Sequence, residues 1–369
     1  MLADIQSGSA WRVLRRGIAS ASLGLLLTAL SGCATIGYLG QAAHGEWQLL
    51  LARRPITELI AAPGTSPALK TRLALVQDIR GFAVTDLGLP DNRSYRTYTD
   101  LSRPYVVWNV VATPAFSVRP LHWCFPISGC VSYRGYFREP RARAFAAGLS
   151  ARGDDVQVDG VTAFSTLGHF ADPVLSSMLR YGDLDLAGTI FHELAHQLIY
   201  VPGDSEFNES FAMTVEGEGL ARWLAARARS SELDGYRREQ HLDDEIEAVF
   251  AAGRDELARL YATQPPVPGL RARKQLILAR IAQQARELER REKLTSGYDD
   301  WLQRGLNNAT LASVGTYSDC VPGFQQLLEK NHDQLTQFYA AVRRIARDAA
   351  ARRALCHAAS PMSAVDVSE

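Results

Sequence analysis

The chain of 369 residues is 47% hydrophobic and 22% charged, which is enough apolar material for a large core that needs no metal or disulfide merely to fold. Lysine plus arginine equals aspartate plus glutamate at 40 each, so the charge balance gives no indication of a nucleic-acid partner. Charged stretches such as RARAFAAGLSAR and RELERREK mix with alanine and leucine at helical spacing, and we interpret them as solvated helix faces.

The N-terminus has the pattern of an export signal. Arg12, Arg15 and Arg16 precede GIASASLGLLLTALSGC, an apolar segment that is short and rich in small residues for a membrane span. Its last four residues, LSGC, resemble the lipobox of bacterial lipoproteins, in which the cysteine, here Cys33, is lipidated and becomes the first residue after cleavage. An ordinary secretory signal with a chance cysteine is the alternative.

This resemblance implies that residues 1–32 are a signal peptide and that two or more acyl chains on Cys33 tether a soluble domain to a membrane. In the lipoprotein pattern an aspartate after the cysteine favours retention in the inner membrane. Ala34 stands there instead. We therefore expect an outer-membrane lipoprotein that faces the periplasm of a bacterial cell envelope.

The segment from Cys33 to about residue 183 alternates helices with strands. YLGQAAHGEWQLLLARRPI predicts a helix ended by Pro55, and ALKTRLALVQDIRGFAV predicts another. PYVVWNVVAT and YRGYF have the aromatic and β-branched density of strands. REPRARAFAAGLSARG predicts a helix stopped by Gly153, and DVQVDGVTAFST predicts one or two further strands.

From Leu184 onward the pattern is almost entirely helical. Long amphipathic repeats include HLDDEIEAVFAAGRDELARLYATQ, LRARKQLILARIAQQARELERREKL, VPGFQQLLEKN and DQLTQFYAAVRRIARDAAARRAL. The sequence therefore predicts one α+β domain over residues 33–360 that is mainly helical, with a strand-bearing part at 33–183 and a helical part at 184–360. Residues 361–369 are expected to be a flexible tail.

Four cysteines remain beyond Cys33, and an even number in an exported chain suggests disulfides. Cys124 and Cys130 flank a Pro-Ile-Ser-Gly turn, so a disulfide between them would close a short loop. Cys320 would then pair with Cys356 and link two C-terminal helices. Two other pairings and free buried thiols are the alternatives. A zinc site built from all four thiolates is disfavoured, because no C-x2-C spacing occurs.

Residues 192–196 read His-Glu-Leu-Ala-His, the H-E-x-x-H pattern. On a helix, residues four apart share a face, so both imidazoles can reach one ion. Glu193 lies one step round the helix, where a carboxylate can serve as a general base. The alternative is that the two histidines lie on a solvated helix face and bind no metal.

A zinc site with an open position needs a third protein ligand. Pro202 and Gly203 end the first helix, and Asp204 or Ser205 can cap a second helix from about Phe207 to Leu224. Glu209 lies one turn into this second helix, where a helical hairpin would return it toward the histidines. We expect Glu209 to be the ligand, and the alternatives are Asp204, Glu206 and Glu216.

This pattern resembles the gluzincin type of metallopeptidase, in which a glutamate on the next helix follows H-E-x-x-H. The segments FHELAHQLIYVPGDSEFNESFAMTVEGEG, CVSYRGYF, FSTLGHFADPVLSSML and TYSDCVPGFQQLL are similar to those of a bacterial aminopeptidase family, over about Cys33 to Arg353. The resemblance implies that His192, His196 and Glu209 hold Zn²⁺ and that Glu193 is the base.

The resemblance leaves two positions open. Many gluzincins place an aspartate four residues after the ligand glutamate to support a histidine, but Met213 stands there, so Glu216 or an acid elsewhere must orient the imidazole. The oxyanion needs a second donor. Gluzincins often supply a tyrosine from the C-terminal helical part, which points to Tyr317. His169, Tyr200 and Tyr133 are the alternatives, and Tyr317 could instead pack in the helical core.

The sequence thus predicts a zinc peptidase that acts on a peptide or protein substrate. An aminopeptidase needs a carboxylate for the substrate's α-ammonium, and Glu206, Glu216 and Glu218 are available. The alternatives are an endopeptidase of the same zinc class, another zinc hydrolase that cleaves amides, and a non-catalytic envelope lipoprotein that binds metal. The intact Glu193 favours an enzyme, since a structural site has no use for it and prefers four protein ligands.

Overall fold

The computed structural model describes residues 37–125, 129–163, 166, 170–263, 268–314 and 320–357. The chain divides into two compact units, Met1–Leu51 and Ala52–Glu369. Residues 37–52 form helix α1, nearly all of it in the first unit. The remaining elements belong to the second unit. Cys33, the expected lipidation site, lies outside the described residues.

Two helices open the second unit: α2, Ile56–Ala61, and α3, Pro67–Thr85. Ser66 caps α3, because its side chain accepts a hydrogen bond from the Leu69 backbone N–H and Pro67 fits the first turn. Leu73, Val76 and Ile79 recur at helical spacing and are fully buried, so α3 presents one apolar face to the core.

Within the residues that the structure describes, the strands form two three-stranded sheets and a hairpin. In the first sheet β2 is central, antiparallel to β1 and parallel to β8; in the second, β3 is central and antiparallel to β6 and β7. The hairpin pairs β4 with β5, with Cys124 opposite Cys130. The strand bounds are β1 Arg54–Pro55, β2 Thr97–Thr99, β3 Val107–Thr113, β4 Trp123–Phe125, β5 Gly129–Val131, β6 Arg134–Tyr136, β7 Asp155–Val161 and β8 Val174–Leu175.

Helix α4, Glu139–Ser150, packs on β3 and β7, and the rest of the described chain is mainly helical. The helices that follow β8 are α5 Asp183–Leu198, α6 Ser205–Ala225, α7 Ser231–Ala262, α8 Leu270–Glu292, α9 Asp299–Arg304, α10 Asn308–Ser313, α11 Val321–Lys330, α12 Leu335–Ala346 and α13 Ala349–His357. With 63% helix and small sheets of two or three strands, the predicted helix-rich α+β class is confirmed.

Two apolar clusters hold the helical part together. One lies between α7 and α8, where residues such as Phe250 and Ile281 are almost fully buried. The other is aromatic: Phe207 and Phe211 of α6 pack against Phe324 of α11, which in turn packs against Phe338 of α12. All four of these rings have no solvent exposure, so α6 is fixed from the side of the C-terminal helices.

Two predicted helices differ in extent from the structure. Helix α7 begins at Ser231 rather than near residue 241, with Glu232 and Asp234 in its first turn, where acidic side chains favour a helix N-terminus. The last predicted helix is two helices, α12 and α13. Asp348 divides them, since its carboxylate accepts a hydrogen bond from the Ala350 backbone N–H and starts the new helix.

Both disulfides join the pairs that the sequence favoured, Cys124 with Cys130 and Cys320 with Cys356. The second disulfide connects the residue that precedes α11 to α13. Within the described residues, no helix combines the length and the apolar character that crossing a membrane requires.

Candidate metal centre

The H-E-x-x-H segment lies in the second half of α5. This helix buries Leu186, Ile190 and Leu194 completely, which fixes its rotation in the core. His196 is 7% exposed and the His192 side chain 20% exposed, so both imidazoles lie at the edge of the buried face. That face packs against α6.

The turn between α5 and α6 is held by a single buried asparagine. Asn208, 2% exposed, accepts a hydrogen bond from the Val201 backbone N–H and donates one to the Val201 carbonyl, both at 2.8 Å. Asp204 caps α6 by accepting from the Phe207 backbone N–H at 3.3 Å. These bonds set where α6 begins, and therefore which of its residues face the histidines.

Three side chains from the two helices converge. His192 Nε2 lies 3.1 Å from His196 Nε2 and 3.2 Å from Glu209 Oε2, and His196 Nε2 lies 3.4 Å from the same oxygen. Tetrahedral zinc with bonds of about 2.0–2.1 Å separates its ligand atoms by about 3.3 Å. The three donors therefore fit one Zn²⁺ ion with a fourth position open.

The charges around this cluster favour a cation. Burial opposes protonation of His192, but hydrogen bonds to the carboxylates of Glu209 and Glu216 outweigh it and raise the pKa of this imidazole to about 10. Burial would likewise raise the pKa of Glu209, yet the two imidazoles lower it to about 2. Positive charge is thus strongly stabilised at the point where the three donors meet.

The other nitrogen of His192 is held by a carboxylate. His192 Nδ1 lies 3.1 Å from Glu216 Oε2, and Glu216 Oε1 accepts a hydrogen bond of 3.1 Å from the Tyr236 hydroxyl on α7. A proton on Nδ1 leaves the Nε2 lone pair free for a metal. Gly188 makes room for this arrangement, because a Cβ there would lie 2.7 Å from Glu216 Oε1.

The other acidic candidates for the third ligand lie elsewhere. Asp204 forms an ion pair with Arg352 at 2.6 Å. Glu206 lies 3.3 Å from Cys320 Sγ, and together with Cys356 it makes a second cluster of possible metal donors. Those sulfurs are joined in a disulfide and offer no thiolate, so this second cluster is not suited to a metal.

Of the four candidate oxyanion donors, the structure describes two, and both are exposed. Tyr317 and His169 lie outside the described residues. Tyr133 and Tyr200 are 41% and 45% exposed at the surface. Glu193, the expected base, follows His192 on α5 and is partly exposed, as access to a substrate requires.

A cleft of about 590 Å³ is linked to the cluster through Glu216, which lines the cleft and whose Oε2 lies 3.1 Å from His192 Nδ1. Its walls come from α6, α7 and α11, and Met213, one turn after Glu209, is among its lining residues. The described residues that line the cleft include one arginine, Arg237, and four acids, Glu216, Glu218, Asp244 and Glu247. Glu218 is also paired with Arg222 at 2.7 Å. Sequence reasoning missed Tyr236 and Asp244, because the amphipathic pattern of α7 does not distinguish them from other polar positions.

A family model described as "Putative aminopeptidase" matches residues 37–356, which covers all the described elements except the last residue of α13. The chain belongs to this family. No curated protein and no solved structure matches it. Membership in the aminopeptidase family indicates peptidase activity and peptides as the substrate class.

Proposed function

We propose that this member of the aminopeptidase family is a zinc-dependent peptidase of the gluzincin type, with His192, His196 and Glu209 as the metal ligands. The observation that carries the proposal is the mutual spacing of their three donor atoms, 3.1, 3.2 and 3.4 Å. Two imidazoles and one carboxylate with an open position are the donor set of a catalytic rather than a structural zinc.

Each of the residues around the cluster has a proposed role in the reaction. Bound Zn²⁺ would polarise the scissile carbonyl and lower the pKa of water at the site. Glu193 would take the proton from the attacking water and deliver it to the leaving amine. Glu216 would keep His192 in the tautomer that presents Nε2 to the metal. Tyr317 is proposed as the second oxyanion donor on the resemblance alone.

The neighbouring cleft favours an aminopeptidase over an endopeptidase. Glu216 is paired with His192 and Glu218 with Arg222, but the lining still carries more acidic than basic side chains, which suits the α-ammonium of a free peptide N-terminus. A free peptide should be cleaved at least about 10-fold faster than its N-acetylated twin, because acetylation removes the charge that the cleft would hold. Equal cleavage of the two peptides would support the endopeptidase instead.

We also propose that lipidated Cys33 tethers the domain to the periplasmic face of the outer membrane. The proposal rests on the LSGC segment and on the alanine that follows it. Changing Cys33 to Ser should release the protein from the membrane fraction in a bacterial host, whereas recovery of that variant with the membranes would contradict the tether.

One pair of measurements tests the peptidase assignment. The purified chain should retain one equivalent of zinc and cleave peptides. Glu193→Gln should retain the zinc and lose at least about 100-fold in kcat, since a general base contributes about that much or more. Glu329→Gln, an exposed acid on α11, is the matched control and should leave kcat unchanged. Zinc retained without cleavage of any peptide library would favour a non-catalytic metal-binding protein.

A further inference from the structure

A second cleft, of about 760 Å³, is lined by α3, β1, β2 and the chain between α3 and β2. We call it the arginine cleft, because Arg53, Arg80, Arg93 and Arg96 line it. None of these residues takes part in the metal cluster. Nothing in the proposed peptidase reaction uses the cleft.

The charges of the arginine cleft do not balance. Asp91 is the single acidic side chain among the described residues that line it. It pairs closely with Arg96 and lies 3.8 Å from Arg80. Four guanidinium groups therefore face one carboxylate, and three positive charges remain without compensation inside the lining. Arginine is the side chain best suited to planar, bidentate binding of oxyanions.

Arg80 shows that the excess charge is not confined to the solvent-facing rim. It is 4% exposed, and its Nε and Nη2 donate to the backbone carbonyls of Ser94 and Pro90 at 3.2 and 2.8 Å. Its Nη1 is buried and has no acceptor among the described residues. Burial and the neighbouring Arg96 lower the pKa of Arg80, which means that its charged form is destabilised. A bound anion would stabilise that charge.

Neutral donors and apolar walls complete the cleft. Thr97 lines it with a buried hydroxyl that also has no hydrogen-bond partner in the part of the chain that the structure describes. Pro55, Val84 and Ala171 supply apolar surface. The lining donors come from separate elements, and the volume leaves space for an oxyanion with an organic group attached to it.

We infer that the arginine cleft is a binding site for the phosphate group of a phosphorylated ligand. A phosphate dianion offsets two of the three excess charges and offers oxygens in several directions to the arginines and to Thr97. The phosphate could belong to a soluble phosphorylated molecule or to the headgroup of an anionic phospholipid. The shared chemistry is the phosphate, and the two sources are separated by experiment.

The first test is calorimetric titration of the full chain with inorganic phosphate at pH 7.5 and low salt. The wild type should bind saturably, and Arg53→Gln/Arg93→Gln should lose at least about 10-fold in affinity, since two charge-assisted contacts are removed. Both arginines are exposed, so their replacement should leave folding intact. Arg273→Gln/Arg344→Gln removes the same charge from exposed positions outside the cleft and is the matched control.

The second test uses vesicles of phosphatidylcholine with and without phosphatidylglycerol. Binding to the anionic vesicles that the Arg53/Arg93 variant loses, and that the control retains, would identify the ligand as a lipid headgroup. Binding of free phosphate without binding to vesicles would identify a soluble ligand. The inference is overturned if the wild type binds neither probe, or if the cleft variant and the control lose binding equally.

Discussion

At the scale of single residues, Glu216 connects His192 of the candidate metal centre to Tyr236 of helix α7. One of its oxygens lies 3.1 Å from His192 Nδ1 and the other accepts from Tyr236 at 3.1 Å. Burial and the carboxylate of Glu216 raise the pKa of Tyr236, so the phenol stays protonated as a donor at any working pH. Tyr236 is therefore expected to position Glu216, and through it the imidazole.

Tyr236→Phe should weaken zinc binding about 10-fold, because losing a group that orients a ligand typically costs 10–100-fold in affinity. Competition with a chelating dye measures the zinc Kd directly and does not depend on peptide cleavage. Tyr200→Phe removes an exposed hydroxyl and should leave the Kd unchanged. An unchanged Kd for Tyr236→Phe would show that the hydroxyl does not position the site.

Asp243 on α7 gives a prediction about pH. Burial, with Glu247 and Asp244 adding repulsion, raises its pKa to about 6, although the Gly297 backbone N–H donates to it. Because the folded state binds this proton more tightly than the unfolded state does, the carboxyl destabilises the fold as pH rises through about 6. This destabilisation is absent below the pKa of the unfolded state, near pH 4.

Asp243→Asn should therefore stabilise the protein by about 1 kcal/mol at pH 7.5, after discounting the shift for partial exposure, and by nothing near pH 4. Urea unfolding of the variant and the wild type at both pH values measures the difference. Asp255→Asn, an exposed position on the same helix, should show no such dependence. A stability difference that is equal at both pH values would contradict the account.

At the scale of elements, the α5–α6 hairpin decides whether a metal site can form. Glu209 and the histidines belong to different helices, and the bonds from Asn208 to Val201 set the start of the second one. Asn208→Ala should lower the free energy of unfolding by about 1–3 kcal/mol, because it leaves the backbone N–H and carbonyl of the partly buried Val201 without this partner. Denaturant titration of the zinc-free protein measures this.

Ser205→Ala, one position into the same helix and exposed, is the control and should change the free energy of unfolding by less than about 0.5 kcal/mol. If Asn208→Ala were as mild as the control, the turn would not depend on this side chain. The register of α6 would then have to come from its aromatic contacts with α11.

The elements also show where sequence patterns stop being informative. The spacing of His192 and His196 predicts a shared helix face, whereas the approach of Glu209 depends on a turn fixed by one buried side chain. Strands β1, β2 and β8 have two or three residues each, which is too short for an alternating pattern to be recognised. The break before α13 was missed because the apolar periodicity continues through Asp348.

At the scale of the whole molecule, the two disulfides should contribute unequally to stability. Cys320 and Cys356 are 36 residues apart, and Cys124 and Cys130 are 6 apart. Loop-closure entropy predicts about 4 kcal/mol for the longer loop and about 2 kcal/mol for the shorter. Cys320→Ala/Cys356→Ala should therefore unfold at a lower urea concentration than Cys124→Ala/Cys130→Ala, and the opposite order would contradict the estimate.

The family, the fold class and both cysteine pairings could be predicted from the sequence, because each rests on a local pattern or on a count. Tyr236, the acidic cleft and the arginine cleft could not be predicted, since each collects residues from elements that are distant in the chain. Arg53 precedes β1 and Arg93 precedes β2, and the pairing of these two strands places both arginines at one cleft. No periodicity in the sequence specifies that pairing.

The most direct test is a diffraction map at the zinc absorption edge from crystals of the full domain. We predict one anomalous peak within about 2.0–2.2 Å of His192 Nε2, His196 Nε2 and Glu209 Oε2. A zinc peak elsewhere, or a Glu209 carboxylate turned away from the two imidazoles with no other acid in its place, would contradict the proposed metal centre and the hydrolase assignment that depends on it.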